Sequence, residues 1–327
     1  GMIIQAMTAS FSLPAAPAAD SSNASLLNGV SALPDLGVIR VVGEDAATFL
    51  HGQLTQDFLQ LGPLEARLAA FCSAKGRMQA SFIGFRRAPA DILLVCSRDL
   101  LAPTLKRLSM FVLRAKARLT DASADFNLVG LAGDAAENVA NLNYHVWAKS
   151  DLGSANVVRL HPTDGQPRAL WVSPAGEPGP AGAPLAATLW QWSEVRSGIV
   201  TLTSPLIDAF VPQMLNYESI GGVSFKKGCY PGQEVVARSQ FRGTLKRRAY
   251  LVHCAVSPAV GQEVFHSADP SQPCGLVAQA APAPSGGFDA LASLQISATE
   301  SGILHLGAPG GPALQLQPLP YPLLQDI

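Results

Sequence analysis

The residues that could do chemistry in this chain are concentrated in one short segment, 222–238, which reads GVSFKKGCYPGQEVVAR. Cys229 is the candidate nucleophile, because two cations, Lys226 and Lys227, precede it closely. The thiolate form of cysteine is the nucleophile, and nearby cations lower the pKa of a thiol. We therefore predict that Cys229 is a catalytic thiol activated by Lys227. On the residues alone, a buried structural cysteine is an equal alternative, because free cysteines are often buried.

The other cysteines show no such surroundings. They lie in apolar segments or loops without neighbouring cations: Cys72, Cys96, Cys254 and Cys274. The total of five is odd and no pair has CxxC spacing. This pattern disfavours a disulfide framework and any zinc or iron–sulfur site built by this chain alone. We predict no bound metal and a reducing compartment, the cytoplasm.

Basic side chains are concentrated in the same part of the chain. Between Lys226 and Arg248 there are seven basic residues and one acidic residue, a local charge of +6 in a chain with a formal net charge of −1. A focused basic patch attracts anions, although many charge runs are only solvated surface. The anion-binding candidates are Lys226, Arg238, Arg242 and Lys246.

Length and composition predict a globular protein with more than one domain. The chain has 327 residues, of which 48% are hydrophobic and 14% charged, and single cores stop growing at about 250–300 residues. No apolar run approaches the roughly 20 residues that a membrane-spanning helix needs. The start of the chain is rich in Ala, Pro and Ser, which predicts a disordered tail over residues 1–30.

The segment 31–124 predicts a first α+β unit. Strand, helix, hairpin, helix and strand follow one another, which is the pattern of a ferredoxin-like unit. Helix-like spacing covers 44–61 and 98–113, and AKGR at 74–77 predicts the turn of the hairpin.

The remaining residues predict two further units. Segment 125–243 contains another mixture of strands and helices and forms a second α+β unit, which can be interleaved with the first. From residue 244 to 327, short strand-like runs alternate with Pro, Gly and Ser and no helical period is present. This pattern predicts a C-terminal antiparallel β-barrel.

One motif in the reactive segment is recognisable. Lys227-Gly228-Cys229-Tyr230 followed by Gly232-Gln233-Glu234 resembles the signature of the YgfZ family of folate-binding proteins. Together with its flanks the resemblance spans about residues 36–250. The flanking segments that resemble the family lie at 49–57, 69–77, 195–200, 210–222 and 241–250.

The resemblance implies an architecture and a cofactor. It implies two ferredoxin-like α/β units forming a ring around a central folate cavity, plus the barrel, as in the related glycine-cleavage T-protein, an aminomethyltransferase. The cofactor would be tetrahydrofolate or a one-carbon derivative. An aromatic face at Trp190 can stack on a pterin, and Arg196 can pair with a folate carboxylate. The ordinary alternatives are a helix-core side chain for Trp190 and a helix-surface side chain for Arg196. The cofactor-binding candidates are Trp190, Arg196, Gly228, Tyr230, Gly232, Gln233 and Glu234.

The resemblance also implies a function. The expectation is an accessory protein that supports iron–sulfur cluster assembly or repair and, through iron–sulfur enzymes, tRNA modification. Its partners would be iron–sulfur enzymes or assembly proteins, without direct DNA contact, and the basic residues would attract folate glutamate tails or tRNA.

Two alternatives remain open. The first is a tetrahydrofolate-dependent aminomethyltransferase. The segment 76–80, where the T-protein carries an acidic pair, reads GRMQA and contains no carboxylate, which argues against this alternative because the transfer needs a positioned acid or base. The second is an RNA- or protein-binding module with a structural cysteine.

Overall fold

The computed structural model describes residues 21–140 and 145–325. The predicted disordered tail extends too far, because helix α1 covers Ser21–Ala24 and strand β1 covers Gly29–Ala32. Leu27 is fully buried, and the Val30 amide donates a hydrogen bond to the carbonyl of Ala183 at 2.8 Å. Residues 1–20 of the predicted tail lie outside the described residues.

The first unit is an antiparallel five-stranded sheet with the strand order β3-β4-β5-β2-β6. The expected strand–helix–hairpin–helix–strand pattern is confirmed, and Gly76 (φ 73°) occupies the tight turn of the β3–β4 hairpin. The elements are β2 (Leu36–Val42), α2 (Ala46–His51), β3 (Ala66–Cys72), β4 (Met78–Ala88), β5 (Asp91–Ser97), α3 (Arg98–Ser109) and β6 (Arg118–Asp121).

Helix α2 is shorter than the spacing over 44–61 predicts. It ends at His51, and Leu54 then forms a bridge with Phe71 of β3. The amide of Thr55 donates to the carbonyl of Ala70 at 3.0 Å. Leu54, Phe58 and Leu61 are buried although they lie beyond the end of the helix, so periodicity alone overestimates the helix.

The second unit is also an antiparallel five-stranded sheet, with the order β1-β7-β10-β9-β8. Strand β1 precedes the first unit in the chain but pairs with β7, so the two units are interleaved and a boundary at residue 31 cuts through β1. The further elements are β7 (Phe126–Ala132), α4 (Asp134–Ala140), β8 (Lys149–Leu152), β9 (Ala155–Thr163), β10 (Gln166–Pro174) and α5 (Ala187–Arg196).

The C-terminal strands form the closed antiparallel barrel that the sequence predicts, in the order β11-β14-β13-β12-β15-β16. Strand β16 was not predicted, although its alternation Leu314-Gln-Leu316 has the period of two that is typical of a half-buried strand. The strands are β11 (Arg247–Cys254), β12 (Glu263–His266), β13 (Gly275–Pro282), β14 (Phe288–Gln295), β15 (Leu304–Leu306) and β16 (Ala313–Gln317).

The largest hydrophobic core joins the two sheets. It contains side chains of β2 to β5, such as Leu68 and Leu94, and side chains of the second unit, such as Leu170 and Trp190. A separate cluster fills the barrel. Within the two described ranges, no helix is long and apolar enough to cross a membrane.

Candidate folate and thiol site

A cavity lies between the two sheets. Leu68 and Ile83 line it from the first sheet, and Leu160 and Leu170 line it from the second. It adjoins a more open cleft with a volume of about 280 Å³. The residues shared by cavity and cleft are Leu33, Leu36, Trp190, Glu194 and Thr201. The two spaces therefore form one depression between the interleaved units, at the place where the resemblance implies a central cavity.

Trp190 of α5 forms a wall of this depression. Its ring packs directly on Gly130 of β7, where an added Cβ would come within 2.6 Å of the ring atoms. The guanidinium carbon of Arg168 lies 5.0 Å from the centroid of the ring. Trp190 is thus held rigidly at the cavity wall, where it is 3% exposed.

A buried ion pair adds polarity to the cavity, and sequence analysis missed it. Nη1 of Arg168 lies 3.0 Å from Oε2 of Glu194, and its Nε donates to the carbonyl of His161 at 3.0 Å. Burial lowers the pKa of Arg168, while the neighbouring Glu194 carboxylate opposes this shift. Both side chains line the cavity. An arginine inside the apolar strand β10 is the one sequence signal that could have revealed the pair.

Arg196 is engaged away from the cavity. Its Nε and Nη2 donate to the two carboxylate oxygens of Asp164 at 3.2 and 3.1 Å, and its Nη1 donates to Gln317 of the barrel. Asp289 of the barrel lies 3.8 Å away. The bidentate pairing predicted for Arg196 is therefore made with a carboxylate of the protein, and it ties α5 to the barrel.

Cys229 differs from the other cysteines in its exposure. It is exposed, whereas the remaining four are buried: Cys72, Cys96, Cys254 and Cys274. Burial raises the pKa of Cys72 and that of Cys96 to about 12. The alternative of a buried structural cysteine at position 229 is thus contradicted, and its thiol is accessible to a partner.

Lys227 is buried although it precedes this exposed thiol. Its amine donates to the carbonyl of Gly228 at 3.1 Å and lies 4.3 Å from the centroid of the Tyr230 ring. Burial lowers its pKa to about 8, while the charges of Asp57 and Cys229 act in the opposite direction. An amine with this pKa exchanges its proton near neutral pH, which suits acid–base assistance to a thiol.

Comparison with known proteins decides the family. No family model matches the chain. The tRNA-modifying protein YgfZ of Edwardsiella ictaluri is 29% identical over 303 residues, which cover 88% of this chain and 91% of that protein. The tRNA-modifying protein YgfZ of Cronobacter sakazakii is 30% identical over 273 residues, 77% of this chain and 79% of that protein. The chain belongs to the YgfZ family.

A solved structure supports the fold of this YgfZ-family chain. The glycine cleavage system aminomethyltransferase T of Bartonella henselae superposes with a TM-score of 0.65, covering 94% of this chain and 90% of that one. The sequence identity is 14%, so the similarity concerns the fold. The expected relation to the aminomethyltransferase architecture is confirmed.

The segment that carries the acidic pair in the T-protein holds an amide here. The amide nitrogen of Gln79 donates to Asp208, and its oxygen accepts a hydrogen bond from Arg107. The Asp208 carboxylate is therefore already hydrogen-bonded to the Gln79 side chain.

The YgfZ motif loop is docked on the β3–β4 hairpin. Gly232 has φ 80° and caps helix α6 (Gln233–Arg238), so Pro231 lies before the helix. An added Cβ at Gly232 would lie 2.4 Å from the carbonyl oxygen of Ser73. Nε2 of Gln233 donates to the carbonyl of Lys227 at 3.5 Å. These residues shape the loop, and they do not line the depression between the sheets.

We expect Gly232→Ala to reduce the free energy of unfolding by about 2 kcal/mol or more, because alanine is strained at this positive φ and collides with backbone. Gly228→Ala is the matched control: no atom lies within 4 Å of its added Cβ. Urea denaturation of both variants measures the effect. Equal stability of the two would contradict the docking of the loop on the hairpin.

Only part of the basic stretch between Lys226 and Arg248 lies at the surface. The four anion-binding candidates of the sequence are exposed, but Arg238 pairs with the exposed Glu234 at 3.3 Å. Arg248 is buried and pairs with Glu218 at 2.5 Å. The surface charge near the YgfZ loop is therefore lower than the sequence count, because Lys227 and Arg248 lie in the interior. The anion-binding role of Lys226, Arg238, Arg242 and Lys246 stays a prediction.

The groove beside the loop meets the central cavity at one side chain. Trp147 lines the cavity and also lines an outer groove that contains Asp57 and Lys226. Its Nε1 donates to the carbonyl of Ile220 at 3.1 Å. Across residues 21–140 and 145–325, no group of three or more His, Cys, Asp or Glu is arranged to hold a metal ion.

The pKa of Lys227 predicts a pH dependence of stability. Between about pH 8 and the ordinary lysine value of 10.5, the unfolded chain keeps the proton that the folded chain has lost. Unfolding free energy therefore rises with pH across this window. Relative to Lys227→Met, we expect the free energy of unfolding of the original chain to rise by about 2 kcal/mol between pH 7 and about pH 10. Urea denaturation of both proteins measures this gain, and a constant difference would contradict it.

Proposed function

We propose that this protein binds tetrahydrofolate, or a one-carbon derivative of it, in the depression between the two sheets. With the exposed Cys229 it would act as a cytoplasmic accessory protein in iron–sulfur cluster assembly or repair and, through iron–sulfur enzymes, in tRNA modification. The YgfZ relatives carry the name tRNA-modifying protein, and the shared fold of an aminomethyltransferase supports a folate site. Iron–sulfur enzymes or assembly proteins would be the partners.

The observation that carries the proposal is the chemistry of the cavity wall. Apolar side chains and the Trp190 ring surround the space, and the Glu194–Arg168 pair is its charged element. A pterin offers a flat ring and an edge of N–H donors, which fits an aromatic wall beside a carboxylate acceptor. Arg168 would orient the Glu194 carboxylate towards the ligand through their ion pair. When bound, a reduced folate supplies a carrier for one-carbon units.

The protein's own contribution to chemistry would lie at Cys229. Lys227, protonated at neutral pH, favours the thiolate, and the exposure of the thiol lets it meet a partner protein. Gly228 and Tyr230 would serve this thiol: the carbonyl of Gly228 and the ring of Tyr230 hold the amine of Lys227. Gln233 would restrain the loop through the carbonyl of Lys227.

Calorimetric titration with tetrahydrofolate under reducing, anaerobic conditions tests the folate site. Saturable one-to-one binding to the full chain is the expected result. Titration with p-aminobenzoylglutamate, which lacks the pterin, is the control and should show much weaker binding. Equal binding of both compounds would contradict recognition of the pterin by the cavity.

RNA binding is the second candidate function. The exposed cations Lys226, Arg242 and Lys246 lie near the reactive loop, and phosphate contacts by such residues make affinity depend steeply on salt. Filter binding of tRNA at several salt concentrations, with and without tetrahydrofolate, separates the two proposals. Salt-dependent binding that folate does not change would favour an RNA-binding module.

A further inference from the structure

Lys227 is surrounded by ionisable groups from two parts of the chain. On its own loop it lies near Cys229 and Tyr230, and its charge interacts with His51 at the end of α2 and with Asp57 after it. No carboxylate reaches ion-pairing distance of its amine among the residues that the structure describes, so Asp57 acts on it through space. A buried cation without a direct counter-ion is costly unless nearby charge and dipoles support it.

Hydrogen bonds tie the segment of Asp57 to the segment that leads into Lys227. The hydroxyl of Thr55 donates to the carbonyl of Gly222 at 2.7 Å, and the amide of Ser224 donates to the carbonyl of Thr55 at 2.9 Å. The Gln56 side chain donates to the carbonyl of Gly221. These contacts fix Asp57 beside the start of the reactive loop, although about 170 residues separate the two segments in the chain.

His51 lies beside the Asp57 carboxylate without a hydrogen bond to it. It is the last residue of α2, and its Nδ1 lies 3.3 Å from Oδ1 of Asp57. Burial and the charge of Lys227 both lower the pKa of His51. His51 is therefore neutral at pH 7 and leaves the charge of Asp57 available to Lys227.

We propose that Asp57 is a positioning residue of the Lys227–Cys229 pair: it keeps the Lys227 amine protonated beside the thiol. This inference rests on the proposed function insofar as Cys229 is the reactive group. Proton release from the thiol needs no co-reactant: the S–H bond breaks, the proton goes to solvent, and the ammonium of Lys227 stabilises the electron pair left on sulfur.

The test measures the reactivity of Lys227 and Cys229 in the same protein. Pulse labelling with acetic anhydride for amines and iodoacetamide for thiols, read by peptide mass spectrometry from pH 6 to 10, gives a titration midpoint for Lys227. In Asp57→Asn the midpoint should fall below the value of about 8 in the original chain. If the midpoint of Lys227 falls by one pH unit, labelling of its amine at pH 7 rises about fivefold, while alkylation of Cys229 becomes slower.

Glu65→Gln is the matched control. Glu65 lines the same groove as Asp57 but pairs with Arg67 at 3.0 Å. The control should leave both labelling rates unchanged. A midpoint in Asp57→Asn that rises towards 10 would show that Asp57 only packs the loop, and an unchanged midpoint would show that its charge does not act on Lys227. Either result overturns the inference.

His51 gives a second readout of the same charges. NMR titration of the histidines, with His51 assigned through His51→Asn, should show its pKa rising in Lys227→Met and falling in Asp57→Asn, as mutual charge effects require. A His51 titration that is indifferent to both substitutions would contradict the placement of Asp57 and Lys227 beside each other. None of these measurements contains folate, so a chain that binds no folate would defeat the proposed function and leave the positioning result standing.

Discussion

Glu194→Gln is expected to weaken the binding of tetrahydrofolate by about thirtyfold, because a hydrogen bond to a charged acceptor contributes about 2 kcal/mol. Glu194 lines both the inner cavity and the cleft, and its carboxylate is the charged acceptor beside Trp190. Trp190→Leu should lower the affinity to a similar degree, because the flat surface for stacking is lost. Calorimetric titration of both variants measures the two effects.

Each variant needs a control for folding, since Glu194 also pairs with the buried Arg168. Trp171→Phe is the matched aromatic control. Trp171 belongs to a separate hydrophobic cluster on the second sheet, and its Nε1 donates to Ser173 at 2.9 Å. Circular dichroism and urea denaturation identify variants that have lost structure. Folded Glu194→Gln and Trp190→Leu proteins that bind tetrahydrofolate like the original chain would contradict the cavity as the folate site.

Lys227→Met is expected to slow alkylation of Cys229 at pH 7 by about tenfold, because the attacking thiolate loses the stabilising charge of the neighbouring ammonium. Lys227→Arg keeps a charge and should retain most of the rate. In the original chain Cys229 should be the fastest thiol, because the other cysteines are buried. Competitive labelling with iodoacetamide and peptide mapping gives all five rates.

Lys226→Met is the control for this series. Lys226 is the neighbour of Lys227 in the chain, but it is exposed and solvent screens its charge. Its removal should therefore change the alkylation rate of Cys229 by less than about twofold. If Cys229 is alkylated more slowly than the other four cysteines, its thiol is not activated. If Lys226→Met and Lys227→Met slow the alkylation equally, the effect comes from general surface charge, and specific activation by Lys227 is contradicted.

Local patterns were sufficient for most of the elements and for the reactive motif. Alternating residues separated by Gly and Pro predict the barrel strands, and the strand–helix–hairpin order predicts the first sheet. The spacing of the lysines, Cys229 and the glycines marks the loop, because such residues are needed for a turn with an activated thiol. All these features depend on neighbours in the chain.

Periodicity misjudged features that depend on distant partners. Strand β1 has only four residues, and its place in the second sheet comes from pairing with β7. Helix α2 ends at His51 because the following residues pair with β3. A short strand or a helix end is decided by which backbone groups lie opposite it, and that information is absent from a local window.

The sequence by itself determined the family, the order of the elements and the identity of the reactive loop. Only the tertiary structure decided which charges act together: Glu194 with Arg168 in the cavity, Arg196 with Asp164 away from it, and Asp57 with the buried Lys227. The reason is physical. Electrostatic effects depend on distance and burial in space, and residues far apart in the chain acquire both only when the chain folds.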